Sequence, residues 1–213
     1  PLTESAMKMR HGGGAATSLS GSFQGFKLIN QLANIPKTFI NKAPLAQEDG
    51  FVTKVEPAAV GGHFITVNNE EHYIGLDQEP KVKEGDRVEQ GQVLSTGVVD
   101  PSEAVRLRGI GDGRKHYMTA MKNAFEDSGL SVNRRNFELI AKAAIDHVKI
   151  THPEGIGNYL PEQVVSYSAI EKDYKPREDS KLVRLDMAYG KYLEKPELHY
   201  TIGTKINTSV ITE

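Results

Sequence analysis

The spacing of apolar residues changes period twice along this chain, and these two changes constrain its fold more than any other feature. Before Pro36 apolar residues recur at the spacing of a helix face. From Gly50 they alternate with polar residues, as in half-buried strands, and from Asp100 the helical spacing returns. We therefore predict an α+β chain with four regions: a helix and connector in residues 1–47, a small β module in residues 48–98, a helical region in residues 99–150, and a mixed β and extended segment in residues 151–213.

Two short helices are predicted in the first region. Residues 2–11 form one, which ends at three glycines, because glycine adopts the left-handed conformation common at helix ends. Residues 15–24 are small and polar and are predicted to be a flexible connector. Residues 26–35 form the second helix, which Pro36 ends.

The second region is predicted to be a hammerhead-like or barrel-like β module. Residues 51–55, 63–67 and 72–76 alternate as strands, with turns between them, and residues 80–94 contain two further close turns. Such spacing is typical of lipoyl-type carrier modules. No lysine occupies the exposed turn where a carrier would bear its prosthetic group, so we interpret the pattern as architecture only.

Helix signals dominate the third region. Asp100 precedes Pro101, which is the order of a helix cap followed by a first-turn proline, and this helix is predicted to end near Arg108, where Gly109 and Gly111 break it. Two longer helices are predicted at residues 116–127 and 133–148. The fourth region is predicted to hold a β segment in residues 159–169, an irregular stretch in residues 174–181 and a strand or extended arm in residues 200–212.

Composition excludes several classes of protein. The net charge of −2 argues against binding nucleic acid through overall charge, although a local contact is still allowed. The chain has no cysteine, which excludes disulfides and cysteine-bound zinc or iron–sulfur sites. No apolar run has membrane-spanning length. A local basic cluster remains, namely Arg106, Arg108, Arg114 and Lys115; it could touch nucleic acid, but a solvated helix face is the favoured interpretation.

Four sequence blocks carry a resemblance to a known family. Pro1-Leu-Thr-Glu-Ser-Ala-Met-Lys-Met-Arg-His11-Gly-Gly is similar to a segment written P-G-T-Q-L-T-M-R-T-F-H-x-G-G. Gly85-Asp-Arg-Val-Glu-Gln-Gly is similar to G-D-x-V-E-x-G, and Asp100-Pro-Ser-Glu-Ala-Val-Arg-Leu-Arg-Gly to D-P-H-D-I-L-R-L-K-G. Tyr200-Thr-Ile-Gly-Thr-Lys resembles L-L-G-I-T-K-A-S-L. In this order they resemble the C-terminal part of the β′ subunit of multisubunit DNA-directed RNA polymerases, beginning inside the trigger loop, a mobile catalytic element.

In the family that the chain resembles, the trigger loop closes on the incoming nucleoside triphosphate (NTP). The resemblance therefore implies roles in nucleotide binding for five residues of the first block. His11 matches a histidine at the phosphates that favours departure of pyrophosphate, and Met7 a methionine under the base. Lys8 matches an arginine near the phosphates. These three are the predicted catalytic residues, and Thr3 and Glu4 join them as predicted NTP contacts.

Two departures from the family pattern lie in the same block. Glu4 replaces a glutamine near the nucleotide sugar, and Arg10 replaces an aromatic residue, so the roles of both positions stay open.

The family's Mg²⁺ ions are held by an aspartate motif of the type N-A-D-F-D-G-D, which this sequence lacks. The resemblance therefore implies that Mg²⁺ binds residues outside this chain and that the chain is not active alone. Implied partners are β-type and N-terminal β′-type chains, template DNA, RNA and NTP, without a membrane. A β′ subunit split over several polypeptides, as in giant bacteriophages, or an excised fragment would fit, and the expected location is the bacterial or phage-infected cytoplasm.

The sequence leaves two other classes of function open. One is a non-catalytic adaptor or carrier built on the β-hammerhead. The other is a structural assembly protein, for instance a component of a phage particle. For a structural assembly protein, substitutions at Met7 and His11 would leave nucleotide addition unchanged.

Overall fold

The computed structural model describes residues 16–34, 36, 39–150, 153 and 156–212. Within this part of the chain the helices are α1 (Ala16–Asn34), α2 (Pro101–Arg108), α3 (Ile110–Asp127), α4 (Arg134–Ala144), α5 (Tyr167–Asp173) and α6 (Thr208–Thr212), with a 3₁₀ turn at Leu185–Met187. The strands are β1 (Gly50–Pro57), β2 (His63–Val67), β3 (Glu70–Ile74), β4 (Arg87–Val88), β5 (His147–Lys149) and β6 (Val164–Ser166). The predicted α+β class is confirmed.

The β module is a curled antiparallel sheet with strand order β3-β2-β1-β4. Its inner face buries Val52, Ile65, Ile74 and Val88, which are at most 1% exposed, and Leu94 from the following turns closes the same cluster. Because side chains alternate along a strand, the apolar residues reach one face and the polar residues reach solvent. The three predicted strands are confirmed, although the third begins and ends two residues earlier than predicted.

A second core lies between the helices. Phe137 of α4 and Tyr117 and Met121 of α3 pack with Leu32 of α1 and with Phe39. Phe125 and Phe137 meet edge to face with ring centroids 5.3 Å apart. This cluster joins the start of the described chain to its middle.

Asp100 caps α2 as predicted, because its side chain accepts a hydrogen bond of 2.9 Å from the backbone N–H of Ser102. The prediction that Gly111 breaks the helix is wrong. Only Gly109, with φ of 92°, separates α2 from α3, and Gly111 and Gly113 lie inside α3. A Cβ at Gly111 would collide with the backbone carbonyl of His199, so this glycine allows a close approach of chains.

Three other predicted boundaries differ from the structure. Residues 16–24, predicted to be a flexible connector, form the first half of α1. Helix α4 ends at Ala144 instead of Val148, and the chain then enters β5. The predicted β segment in residues 159–169 is correct for β6 only, because α5 begins directly after Ser166. The predicted helix in residues 2–11 lies outside the described residues.

The last part of the chain returns to the rest of the molecule. Residues 190–193 run beside residues 203–206, with backbone hydrogen bonds such as Gly190 N–H to Ile206 O at 2.8 Å. Tyr200 is buried, and the chain ends in the short helix α6. The predicted strand or extended arm at residues 200–212 is therefore interrupted by a turn, in which Thr204 N–H donates to Thr201 O, and it ends in a helix.

Candidate functional site

The five residues predicted to act on the nucleotide, Thr3, Glu4, Met7, Lys8 and His11, lie outside the described residues. They remain predictions. Helix α1 follows the predicted site directly in sequence, and the structure describes how that helix is held.

Helix α1 is fixed through its second half. Leu32 is fully buried against the helical core, and Leu28 packs beside it. Gly25 approaches the C-terminal end of α3 so closely that a Cβ would collide with Ser128 Oγ and lie 2.8 Å from the carbonyl oxygen of Ala124. The predicted site is thus joined to a helix that is anchored on α3.

A shallow cleft forms where α2, α3 and the β module meet the C-terminal segment, and it is lined among others by Asp49, Arg108, Asp112, Tyr189 and Lys205. Among the lining residues, Asp112 is only 5% exposed. Its Oδ2 lies 2.6 Å from Arg108 Nε, and its Oδ1 lies 3.0 Å from His199 Nε2. One carboxylate therefore binds both α2 and the returning C-terminal segment.

The outer side of the cleft contains a second ion pair. Lys205 Nζ lies 3.1 Å from Asp49 Oδ2. The backbone N–H of Gln90 donates to Asp49, and this hydrogen bond is the main cause that lowers the pKa of the Asp49 carboxyl below 3.8, with Lys205 acting in the same direction. Asp49 in turn raises the pKa of Lys205. The Asp112–His199 contact holds the C-terminal segment against α3, and the Asp49–Lys205 ion pair holds it against the β module.

The basic cluster noted in the sequence is not a uniform solvated face. Arg108 pairs with Asp112 and donates to Ser209 of α6. Arg114 donates to the carbonyl of Ile145 at 2.7 Å and to Asp146 at 2.9 Å. Because both guanidinium groups are largely buried in ion pairs, the interpretation of a solvated face is wrong for Arg108 and Arg114. The interpretation of a solvated face holds for Arg106, whose side chain is 64% exposed.

The carboxylate of Asp146 connects parts of the chain that are distant in sequence. This contact was not predicted, because the sequence indicates a helix at this position. Ser166 and Ser168 donate hydroxyl hydrogen bonds of 2.5 and 3.1 Å to its carboxylate, and Arg114 pairs with it. The hydroxyl of Ser166 is the main cause that lowers the pKa of Asp146 below 3.8. Asp112 was missed too, although its position between Gly111 and Gly113 was a sequence signal of close packing.

The described part of the chain has no group of three or more histidine, cysteine, aspartate or glutamate side chains that could hold a metal ion. The carboxylates of Asp49, Asp112 and Asp146 instead pair with lysine, arginine or histidine, so these three residues do not fit a Mg²⁺ site. Nor does any described helix combine the length and apolar character needed to cross a membrane.

No protein-family model matches the chain. Curated proteins named DNA-directed RNA polymerase subunit β′ are similar to it. The protein of Kocuria rhizophila is 29% identical over 172 residues, which cover 78% of this chain and 13% of that protein. The protein of Thermosipho africanus is 24% identical over 219 residues, covering 99% of this chain and 13% of that protein. That of Endomicrobium trichonymphae is 28% identical over 141 residues, covering 63% and 9%.

The chain thus spans about a tenth of the length of the curated relatives that it matches. The sequence identity is low. The alignment with the Thermosipho africanus protein nevertheless extends over both the β module and the helical region. The resemblance to β′ subunits predicted from four sequence blocks is confirmed. Proteins named RNA polymerase subunit β′ are homologues of this chain, at 24–29% identity and over up to 99% of its residues.

Proposed function

We propose that this chain is a piece of the β′-type subunit of a DNA-directed RNA polymerase and works only when assembled with the other chains of that enzyme. The observation that carries the proposal is the alignment of up to 99% of the chain with proteins of that name. The two cores and the returning C-terminal segment support it, because they form a folded body that could be joined to a larger enzyme.

The proposed contribution to catalysis comes from the segment before α1. When residues 1–13 close on an NTP, Met7 packs against its base, and Lys8 and His11 face its phosphates. His11 then donates a hydrogen bond or a proton to the negative charge that develops on the leaving pyrophosphate. Mg²⁺, bound by residues of another chain, supplies Lewis-acid chemistry at the phosphates.

The anchored second half of α1 supports this proposal physically. A catalytic lid needs a fixed base, because closure must return the same side chains to the same position at each cycle. Leu32 and Gly25 give α1 such a base on α3.

We also propose that the subunit is divided over several polypeptides, as in giant bacteriophages, and acts in the cytoplasm of a bacterial cell. The aspartate motif is absent from these 213 residues, so it must be supplied by residues outside them, either in the same polypeptide or in another chain. Mass spectrometry of the native protein tests the division, because a continuous β′ subunit would yield peptides that extend beyond Pro1.

Affinity purification of the chain from its native source, with mass spectrometry of the proteins that accompany it, tests the subunit role. We expect a chain with the aspartate motif and a β-type chain. Recovery of the chain alone, or with unrelated proteins, would contradict the proposal and favour an adaptor or structural assembly protein.

Substitution in the purified polymerase tests the catalytic role. His11→Ala is expected to slow single-nucleotide addition by about 100-fold, the lower range for losing a general acid. Met9→Ala is the matched control, since Met9 is in the same segment but is not a predicted NTP contact. Equal rates for His11→Ala and the unchanged enzyme would show that His11 has no part in the chemistry.

A further inference from the structure

Strand β3 has an open edge. Among the described strands it is the outermost of the β module, and it pairs with β2 on its inner side. A two-residue turn joins β2 and β3, so Val67 and Glu70 form the hydrogen-bonded pair that closes the turn. Because residues alternate in direction along such a strand, the backbone N–H and C=O groups of Glu71 and Tyr73 point away from β2. Within the described part of the chain no strand pairs with them on that side.

An exposed apolar patch lies beside this edge. Val60 is 79% exposed, Leu76 is 77% exposed and Tyr73 is 47% exposed. They meet around Gly61, since the Tyr73 hydroxyl donates to its carbonyl at 3.0 Å and a Cβ there would lie 2.6 Å from Leu76 Cδ2. Phe64 of β2 is the cross-strand partner of Tyr73, with ring centroids 5.4 Å apart, and it continues the patch across the sheet. Single exposed apolar residues are common, but a group in contact marks a surface for interaction.

The charges along the open edge are all negative. We call residues 70–77 the β3 edge; it contains Glu70, Glu71 and Asp77 and no lysine or arginine. Glu71 and Asp77 are exposed, and neither forms an ion pair with a described residue. The β module, residues 48–98, has ten acidic and four basic residues and thus a formal charge of −6, whereas the whole chain has −2. The β module is therefore the acidic part of the chain, and the β3 edge has no basic side chain of its own.

Charge and backbone geometry together indicate the kind of partner. Charged residues on an edge strand keep other strands away, but charges of one sign repel only strands of the same sign. A second copy of the β3 edge would bring the same acidic side chains, and nucleic acid would be repelled by them. An extended polypeptide segment with basic residues is attracted instead, and it can pair with the open backbone groups of Glu71 and Tyr73.

We propose that the β3 edge binds an extended segment of a protein partner, which adds a strand to the sheet and carries basic and apolar residues in turn along one face. Glu71 and Tyr73 have side chains on the same face of β3, because they are two residues apart. The added strand therefore meets them with one basic and one apolar residue two positions apart. Leu76 extends the apolar contact, and Asp77 extends the acidic one. This inference does not depend on the proposed function.

A designed peptide tests the addition of a strand. The fluorescein-labelled peptide K-K-V-V-K-K-V-V carries basic and apolar residues in turn on each face; its binding to the purified full chain is measured by fluorescence anisotropy, and amide hydrogen exchange by NMR. We expect saturable binding, with the N–H groups of Glu71 and Tyr73 exchanging about tenfold more slowly or less. The same peptide N-methylated at alternate residues keeps its charges but cannot pair, and it is expected to protect neither amide. Equal binding of the two peptides, or binding of neither, overturns the proposal.

Charge reversal tests the recognition. Glu71→Lys/Asp77→Lys is expected to weaken binding of the unmethylated peptide by about tenfold or more, because two attractive contacts become repulsive. Glu84→Lys/Glu178→Lys is the matched control, since it changes the net charge equally at two exposed residues outside the β3 edge, and it is expected to leave binding nearly unchanged. Slow exchange of the buried Ile65 N–H shows that each variant is folded.

Two further results would overturn the proposal. Equal loss of peptide binding in both double variants would show a general effect of net charge. A dimer of the chain without peptide that protects the Glu71 and Tyr73 amides would assign the β3 edge to a second copy, and analytical ultracentrifugation detects such a dimer.

Discussion

Gly111 lies in the interior of helix α3, where glycine ordinarily lowers helix stability. It is required there because the backbone of His199 passes directly over it, leaving no room for a Cβ. Gly111→Ala is expected to lower the free energy of unfolding by about 1–3 kcal/mol, since backbone atoms have to shift. Chemical denaturation of the purified chain measures this. Gly75→Ala is the control, because a Cβ at Gly75 would lie 3.7 Å from its nearest neighbour, and it is expected to change stability little.

Asp112 holds two separate parts of the chain at one buried carboxylate. Asp112→Asn removes the negative charge and leaves the Arg108 guanidinium, 15% exposed, without its ionic partner. We expect a loss of about 3–5 kcal/mol in the free energy of unfolding, the range for breaking a buried ion pair. Glu126→Gln on the same helix breaks the exposed Lys122–Glu126 pair and is expected to cost less than about 1 kcal/mol. Similar losses in the two variants would contradict the structural role of Asp112.

At the scale of elements, the cap of helix α2 can be tested by two substitutions of one residue. Asp100→Ala removes the acceptor for the Ser102 N–H and is expected to cost about 1 kcal/mol of stability. Asp100→Asn keeps an acceptor oxygen and loses only the weak attraction to Lys42 at 3.7 Å, so it is expected to retain most of the stability. Thermal unfolding of the two variants distinguishes them. Equal destabilisation by both would mean that charge, and not capping, is what Asp100 contributes.

The accuracy of each prediction depends on whether the element is determined by neighbouring residues or by residues distant in sequence. Strands β1 and β2 and the start of α2 follow from alternation and capping, which are properties of neighbouring residues, and they were predicted nearly to the residue. The start of α3 was not, because glycine is required at position 111 by the close approach of His199, a residue distant in sequence, and not by any local helix signal. Long-range contacts of this kind are not visible in local patterns.

The first half of α1 shows the same limit. Residues 16–24 include three serines, one threonine and one glycine, which have lower helix preferences than alanine or leucine. A helix already formed through the packing of Leu28 and Leu32 can extend into such residues, because propagation is easier than nucleation. For the candidate site, the sequence resemblance supplied Met7, Lys8 and His11, whereas the Asp112 and Asp146 junctions needed the fold to bring distant residues together.

At the scale of the whole molecule, acid is expected to loosen the fold in two stages. Burial lowers the pKa of His72 in the β module and of His116 in α3 from the ordinary value of 6.5. The opposing attraction of Glu70 to His72 and of Asp112 to His116 is the smaller effect. As the pH falls below 6.5, the unfolded chain binds protons at these histidines more readily than the folded chain does, so the free energy of unfolding decreases as the pH decreases.

The second stage of acid destabilisation arises from protonation of two carboxylates. The pKa values of Asp49 and Asp146 are lowered from 3.8 by hydrogen bonds from Gln90 N–H and the Ser166 hydroxyl. Their stabilisation is present above pH 3.8 and is lost as the pH falls through the lower folded values. The two stages therefore affect different junctions: first the interiors of the sheet and of α3, then the contacts of the C-terminal half.

Denaturant unfolding of the purified chain at a series of pH values tests the histidine stage. We expect the free energy of unfolding to decrease as the pH is lowered from about pH 7.5 to about pH 5, a window that includes the ordinary histidine pKa. His72→Gln/His116→Gln removes both histidines. We expect it to flatten the profile in that window, because the unfolded variant no longer takes up protons at these two positions. It retains the loss at lower pH, since Asp49 and Asp146 are unchanged. A double variant that keeps the full decrease between about pH 7.5 and about pH 5 would assign the acid sensitivity to other groups.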